Sequence, residues 1–415
     1  MSAKPSSELA AHGGEPFCRE LIPLYRRAYD PVELAALEEC LRSGWVTRGP
    51  KTVEFERAFA YYLARGTKNG ESAGNSRGLF ALGLNSCTAA LHTALHCEGI
   101  GPDDEVITTP MTFAATVNVI EHVGATPVLV DIHPDTLCID EEKIERAITN
   151  RTKAIIPVHY AGHPCELDAI SDIAERHGLT VIEDCAHAVE AEYRGRKMGG
   201  FSPYSCFSFY ANKNLSTGEG GMLVCRDEET KARAMVVSLH GMSRNAWQRY
   251  EGSRFELYDI ERAGFKYNIF DLQAALGLVQ LGKLDENWKK RLRLYERYCS
   301  LLADVPGIEP LQVRDHVKSA HHIFPCLLDL DKITVGRDEF LSLLLAENVQ
   351  GYVHFRPIFE FRYYKDKYGW RAEDWPVAAD AGMRVLSLPF YPSMTDEEMD
   401  SVVGAVRKVL AAVSI

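Results

Sequence analysis

The chain has 415 residues, 46% hydrophobic and 25% charged, which is the profile of a soluble globular protein large enough for one main domain and a smaller one. Its net charge of −12, from 46 basic and 58 acidic residues, argues against nucleic acid as a partner, because phosphate-backbone binding needs a basic face. No 18-residue apolar run or basic-then-apolar leader occurs, and the eleven cysteines stand singly without C-x-x-C pairs, so the expectation is a cytoplasmic protein with reduced thiols, no membrane and no zinc.

Residues 1–18 are polar and read as a disordered tail, followed by a large domain over 19–289 and a small one over 290–415. Pro31 to Arg42 has helical periodicity with proline at its start. The turn Trp45-Val46-Thr47-Arg48-Gly49-Pro50 reads as a cap on the next helix, and residues 64–80, rich in Gly, Ser and Asn, as an exposed inserted loop. A short strand, Leu82–Leu84, then runs into Asn85-Ser86-Cys87-Thr88 and a helix. The unpaired first amides of a helix bind phosphate, while a plain Ser or Thr cap fits the same residues.

Strand and helix alternate from there. Strands are expected near 104–109, 126–131 and 152–160, with helices over 114–122, 141–148 (Asp140 placed to cap it) and 170–177. That alternation predicts a mostly parallel, doubly wound α/β sheet with crossover helices. No Gly-x-Gly-x-x-Gly follows an early strand, which weighs against a dinucleotide-dependent oxidoreductase.

The chemistry concentrates in residues 179–221. The apolar run Leu179-Thr180-Val181-Ile182 ends in Glu183 and Asp184, a buried strand delivering carboxylates to the sheet edge where such folds bind ligands. A second strand, Cys206 to Tyr210, leads to Lys213 and the turn Gly218-Glu219-Gly220-Gly221. Taken singly, the acid is often a helix cap and the lysine a solvated charge. Together they suit pyridoxal phosphate: the carboxylate keeps the pyridine nitrogen protonated and the lysine forms the Schiff base.

Beyond the lysine, Arg244 and Arg249 lie in a loop and are candidates to grip a substrate diphosphate. Gly264-Phe265-Lys266-Tyr267-Asn268 precedes a long helix from Asp271 whose stripe of Leu272, Ala275, Leu278, Leu281 and Leu284 would want a partner surface. Strand 322–329 and helices 337–347 and 395–412 make the C-terminal domain α+β.

The run SFYANKNLSTGEGGM, residues 208–222, is similar to the lysine signature of the DegT/DnrJ-type sugar aminotransferases, and the likeness extends from about Pro23 to the C-terminus. The resemblance implies a fold-type I pyridoxal-phosphate enzyme moving an amino group from glutamate to a nucleotide-linked keto-sugar. The HYAG run at 159–162 and Lys266-Tyr267-Asn268 lean towards C4 of a UDP-sugar. It places the cofactor phosphate on Ser86, Cys87, Thr88 and Ser208, the stacking aromatic at Phe113, and a ring-hydroxyl neighbour at His187. Lys213 and Asp184 become catalytic, and Thr47, His159, His322 and His354 substrate contacts. Asn268 would reach the phosphate site of a neighbouring subunit, implying a homodimer; Phe265 stands where the family has tyrosine. A keto-inositol acceptor and a non-catalytic cofactor-binding regulator are the alternatives. The family's dehydratases carry histidine in place of the lysine, and Lys213 argues against that branch.

Overall fold

The computed structural model describes residues 8–27, 29–65, 78–243 and 258–415; Arg244, Arg249 and most of the 64–80 loop lie outside them. The chain opens with α1 (Pro31–Ser43), where Asp30 and Glu33 form a reciprocal capping box. Then come α2 (Pro50–Ala64), β1 (Phe80–Leu84), α3 (Cys87–Cys97), β2 (Glu105–Thr108), α4 (Ala114–His122), β3 (Thr126–Leu129), α5 (Glu141–Ala147), β4 (Thr152–Ile155), α6 (Leu167–His177) and β5 (Thr180–Asp184). A short ribbon, β6 (Glu192–Tyr193) and β7 (Arg196–Lys197), precedes β8 (Tyr204–Ser208), β9 (Gly221–Cys225), α7 (Glu228–Ser238) and α8 (Asp271–Leu302). The C-terminal part holds β10 (Ile308–Pro310), β11 (Val317–Lys318), β12 (Phe324–Leu328), α9 (Arg337–Ala346), α10 (Arg362–Tyr368), α11 (Pro376–Arg384), β13 (Val385–Leu388) and α12 (Asp396–Val413).

The main sheet runs β1-β9-β8-β5-β4-β2-β3, parallel from β8 to β3, with β9 antiparallel to both its neighbours. Alternating side chains serve its two faces. Cys206 and Leu223 face the cluster under α3 and α4, whereas Phe207 and Met222 join Phe55 and Phe59 of α2. Strand order reverses at β2, since β3 lies on one side and β4 on the other, so the crevice at the carboxyl ends of β2 and β4 is the topological switch point.

The smaller sheet, β10-β12-β13, is antiparallel and packs with α9 and α12. Two expectations are corrected here. Residues 8–18 are no loose tail: Leu9 and Cys18 are buried in this second core, and Glu347 accepts the amides of Ala10 (2.9 Å) and Phe17 (2.7 Å). The stripe of α8 is partly covered within the chain: Ala275 and Leu284 are buried, Leu278 and Leu281 pack half-buried on the same core, and the neighbouring Gly277 meets the ring of Phe55, while Leu272 stays half-exposed. The same helix continues into the second core through Leu294, Tyr298 and Leu302. No helix among the described residues is long and apolar enough to cross a membrane.

Candidate active site

The two acids ending β5 point to opposite faces, as strand alternation requires. Glu183 is fully buried, accepts from Ser202 N and Ser205 Oγ at 3.0 Å each, and sits 3.2 Å from His159 Nε2. His159 Nδ1 takes the amide of Cys165 at 3.1 Å. The expectation that His159 touches substrate is therefore corrected: it is fully buried with both ring nitrogens engaged, and it braces the inward acid.

Asp184 faces the crevice. It accepts from Thr116 Oγ1 at 2.8 Å and Ala186 N at 3.1 Å. Burial pushes its carboxyl above the usual carboxylate range, while these bonds and the charge of Lys213 pull it back. A buried acid in this state gains most from a cation set against it, such as a protonated ring nitrogen.

Lys213 lies in the turn between β8 and β9, and its Nζ makes no hydrogen bond or ion pair with any described residue. Desolvation lowers its amine to about 8, against the opposing pull of Asp184 and Cys87. Three imidazoles gather near it. His187 and His322 stand 4.3 Å apart, centroid to centroid, and His354 Nδ1 pairs with Ser387 Oγ at 2.9 Å. All three are held neutral, first by burial and then by the lysine charge and one another; His354 falls to about 4. His187 Nδ1 is buried with no partner.

The candidate phosphate cup forms where β1, β9 and β8 end side by side, with Gly221 opposite both Leu84 and Ser208. Ser86 Oγ caps α3 by accepting from Ala89 N at 3.0 Å, and the Cys87 and Thr88 amides have no hydrogen-bond partner among the described residues. Both sequence expectations thus hold at once, cap and free amides. The Cys87 thiol turns inward to the Cys206 carbonyl (3.3 Å), so only its amide is available. A Cβ on Gly221 would come within 2.6 Å of Cys87 N, and glycine is what lets the loop approach. Phe113, at the start of α4, leaves its ring 64% exposed, 6.2 Å from Phe355. Orphan amides at a helix start, an unpaired amine, a buried acid and an exposed ring fit pyridoxal phosphate.

Beside His322 and His354 opens a cavity of about 290 Å³, also lined by Tyr25, Arg26, Lys290 and Arg291. Thr47 is exposed, and its carbonyl accepts from Asp271 N at 3.0 Å. Asn268 bridges to Leu84 at the sheet edge and takes a hydrogen bond from Lys266. Thr116 and Arg27 were missed in the sequence. Thr116 stands four residues after Thr112, with which it shares a hydrogen bond of 2.8 Å, a helical spacing that carries no chemical signal alone.

A model of the DegT/DnrJ/EryC1/StrS aminotransferase family matches residues 28–407. The spore coat polysaccharide biosynthesis protein SpsC of Bacillus subtilis is 45% identical over 379 residues, covering 91% of this chain and 94% of SpsC. Among solved structures, Helicobacter pylori PseC, an aminotransferase involved in the biosynthesis of pseudoaminic acid, superposes with a TM-score of 0.85 at 30% identity, covering 95% of this chain and 100% of PseC. Spr1654 from Streptococcus pneumoniae in its PLP form gives 0.84 at 30% identity, covering 94% and 99%. The chain belongs to the DegT/DnrJ/EryC1/StrS aminotransferase family and is a pyridoxal-phosphate-dependent sugar aminotransferase of fold type I.

Proposed function

We propose that the chain transfers the amino group of glutamate to the keto carbon of a nucleotide-linked sugar, with C4 of a UDP-4-keto sugar as the acceptor position. The observation that carries this is the unpaired Lys213 amine, set between a buried acid and three neutral imidazoles, with a cavity bearing Arg26, Lys290 and Arg291 opening beside them. The names of SpsC and PseC, both tied to sugar biosynthesis, support the carbohydrate side.

The cofactor, when bound, supplies the electron sink that lets an amino group leave one carbon and join another. Lys213 would hold it covalently and, once its amine is released, would carry the proton to and from the reacting carbon. Asp184, braced by Thr116, would keep the ring nitrogen protonated. The amides of Cys87 and Thr88, with the Ser86 and Ser208 hydroxyls, would hold the phosphate. Phe113 would cover the ring and His187 would serve its hydroxyl. Neutral His322 and His354 accept or donate hydrogen bonds to sugar hydroxyls. Donor and acceptor use the site in turn, which makes the kinetics ping-pong.

We also infer a homodimer with shared sites, in which Asn268 reaches across the interface and Thr47 lies at it. Exposed Trp45 and Val46 adjoin Thr47, and exposed Phe270 lies two residues after Asn268, apolar side chains that a second copy would cover.

The test is a screen of UDP-, GDP- and dTDP-linked keto-sugars and a keto-inositol with glutamate, products being identified by mass spectrometry. A 4-amino UDP-sugar is the expected product. Turnover of the keto-inositol alone, or no acceptor despite glutamate converting the bound cofactor, overturns the assignment.

A further inference from the structure

The Lys213 amine makes no hydrogen bond or ion pair with any described residue, so the backbone of its turn is the anchor that hydrogen bonding supplies. Three carbonyls of the lysine turn converge on one side chain from the far end of the chain. Arg27 donates from Nε and Nη2 to Ala211 O (3.4 and 3.3 Å), from Nη1 to Asn214 O (3.5 Å), and from Nη2 to Lys213 O. Its remaining direction is taken by Gln280 of α8, at 2.9 Å from Nη1, and Gln280 in turn donates to Glu33 at 2.6 Å. No carboxylate among the described residues forms an ion pair with Arg27; the guanidinium is spent on carbonyl oxygens. Carbonyl dipoles turned towards one another repel, and a planar fork with five N–H groups lets them point inward together.

The segment bearing Arg27 is fixed to the other domain. Ile22 lies in the C-terminal core and exchanges backbone hydrogen bonds with Asn348 (2.9 Å) and Gln350 (3.0 Å). The Leu24 carbonyl accepts from Phe390 N at 3.0 Å. Only residues 25 and 26 separate that attachment from Arg27, a span of roughly 10 Å of extended chain. A shift of the C-terminal domain therefore reaches the lysine turn through this short strap.

We propose that Arg27 is a positioning residue for Lys213, holding the lysine turn in register with the C-terminal domain. This rests on Lys213 being the cofactor-bearing lysine, which borohydride reduction and peptide mapping test separately from anything done to Arg27.

Arg27→Gln in the holoenzyme should keep cofactor content near one per chain. It should lower the single-turnover rate with glutamate at least about tenfold at saturation, with little change in the glutamate concentration needed. It should also move the pH midpoint of the bound cofactor's absorbance change, because the amine sits differently against the ring; a merely structural role would leave that midpoint alone. Arg27→Lys should restore little, since an ammonium cannot bridge three carbonyls in a plane. Gln280→Met, which touches Arg27 and not the lysine turn, should shift rate and midpoint in the same direction by less, and it serves if Arg27→Gln does not fold. An unchanged midpoint and rate in Arg27→Gln, or full activity in Arg27→Lys, overturns the proposal. So does an unchanged midpoint in Gln280→Met where that variant alone is measurable.

Discussion

Asp184 and Lys213 oppose each other through burial. Desolvation raises the acid and lowers the amine, and each charge partly repairs the other. Replacing the acid by its amide keeps the shape and the Ala186 contact but removes the charge. Asp184→Asn should cost about 3 kcal/mol in the barrier, a turnover loss of about a hundredfold, as when a preorganised charge is removed from a transition state; a steady-state rate within a few-fold of wild type would contradict this. The lysine makes a pH prediction. Its folded value of about 8 lies below the usual 10.5, so folded protein releases the proton first as pH rises. The neutral amine is the nucleophile for the cofactor aldehyde. Reconstitution of cofactor-free protein should therefore accelerate with pH and level off above about 8, which stopped-flow absorbance at limiting cofactor would follow. A midpoint near 10 would mean the amine is solvated.

At the scale of elements, two contacts between distant segments set the cup and its rim. Asp271, the first residue of α8, caps α2 from 219 to 222 residues away, accepting from Gly49 N (2.7 Å), Lys51 N (3.0 Å), Thr52 N (2.9 Å) and Thr52 Oγ1 (2.6 Å). Because Asp271 is fully buried and serves four donors, Asp271→Ala should destabilise by about 2 kcal/mol or more, the upper end of cap losses, read as a lower denaturant midpoint. Gly221 is the second contact. Gly221→Ala pushes a methyl group into the Ser86–Cys87 peptide and should displace the start of α3. Cofactor affinity should fall more than tenfold while the fold persists, since the clash is confined to the first residue of β9. Unchanged affinity by equilibrium dialysis would place the phosphate elsewhere.

For the whole molecule, the question is how many chains build one site. If Asn268 acts across an interface, Lys213→Ala and Asn268→Ala damage different halves of a composite site. Mixing the two inactive proteins under conditions of proven subunit exchange should restore up to about a quarter of wild-type activity, from the one intact site in each mixed dimer if exchange is random. Sedimentation of the active enzyme as a monomer, or no recovery on mixing, excludes the shared site. The internal cover that α2 gives α8 weakens one reason for expecting a dimer, and exposed Trp45, Val46 and Phe270 supply another.

The order of strands and helices, the acid at the end of β5, the lysine turn and the Ser86 cap that starts α3 were legible in the chain. Each is a local pattern: an apolar run that ends in charge, a glycine turn, a serine before a helix. Periodicity and turn chemistry act over a few residues, so the sequence alone determined these. That Asp184 and not Glu183 serves the site came from the family resemblance and not from the strand pattern, because which acid faces the crevice depends on which sheet face the crevice occupies. The family resemblance made His159 a substrate contact; only tertiary packing showed both nitrogens consumed by Glu183 and Cys165. The tail misled for a related reason. Residues 8–18 carry only Leu9 and Phe17 as large apolar side chains, with no helical or strand period, and the partners that order them, Glu347 and the core around Phe324 and Phe340, lie more than 300 residues away. Arg27 shows the same limit at the lysine itself. A guanidinium carries no mark of which carbonyls it will bind, and folding alone brought the three of the lysine turn to it.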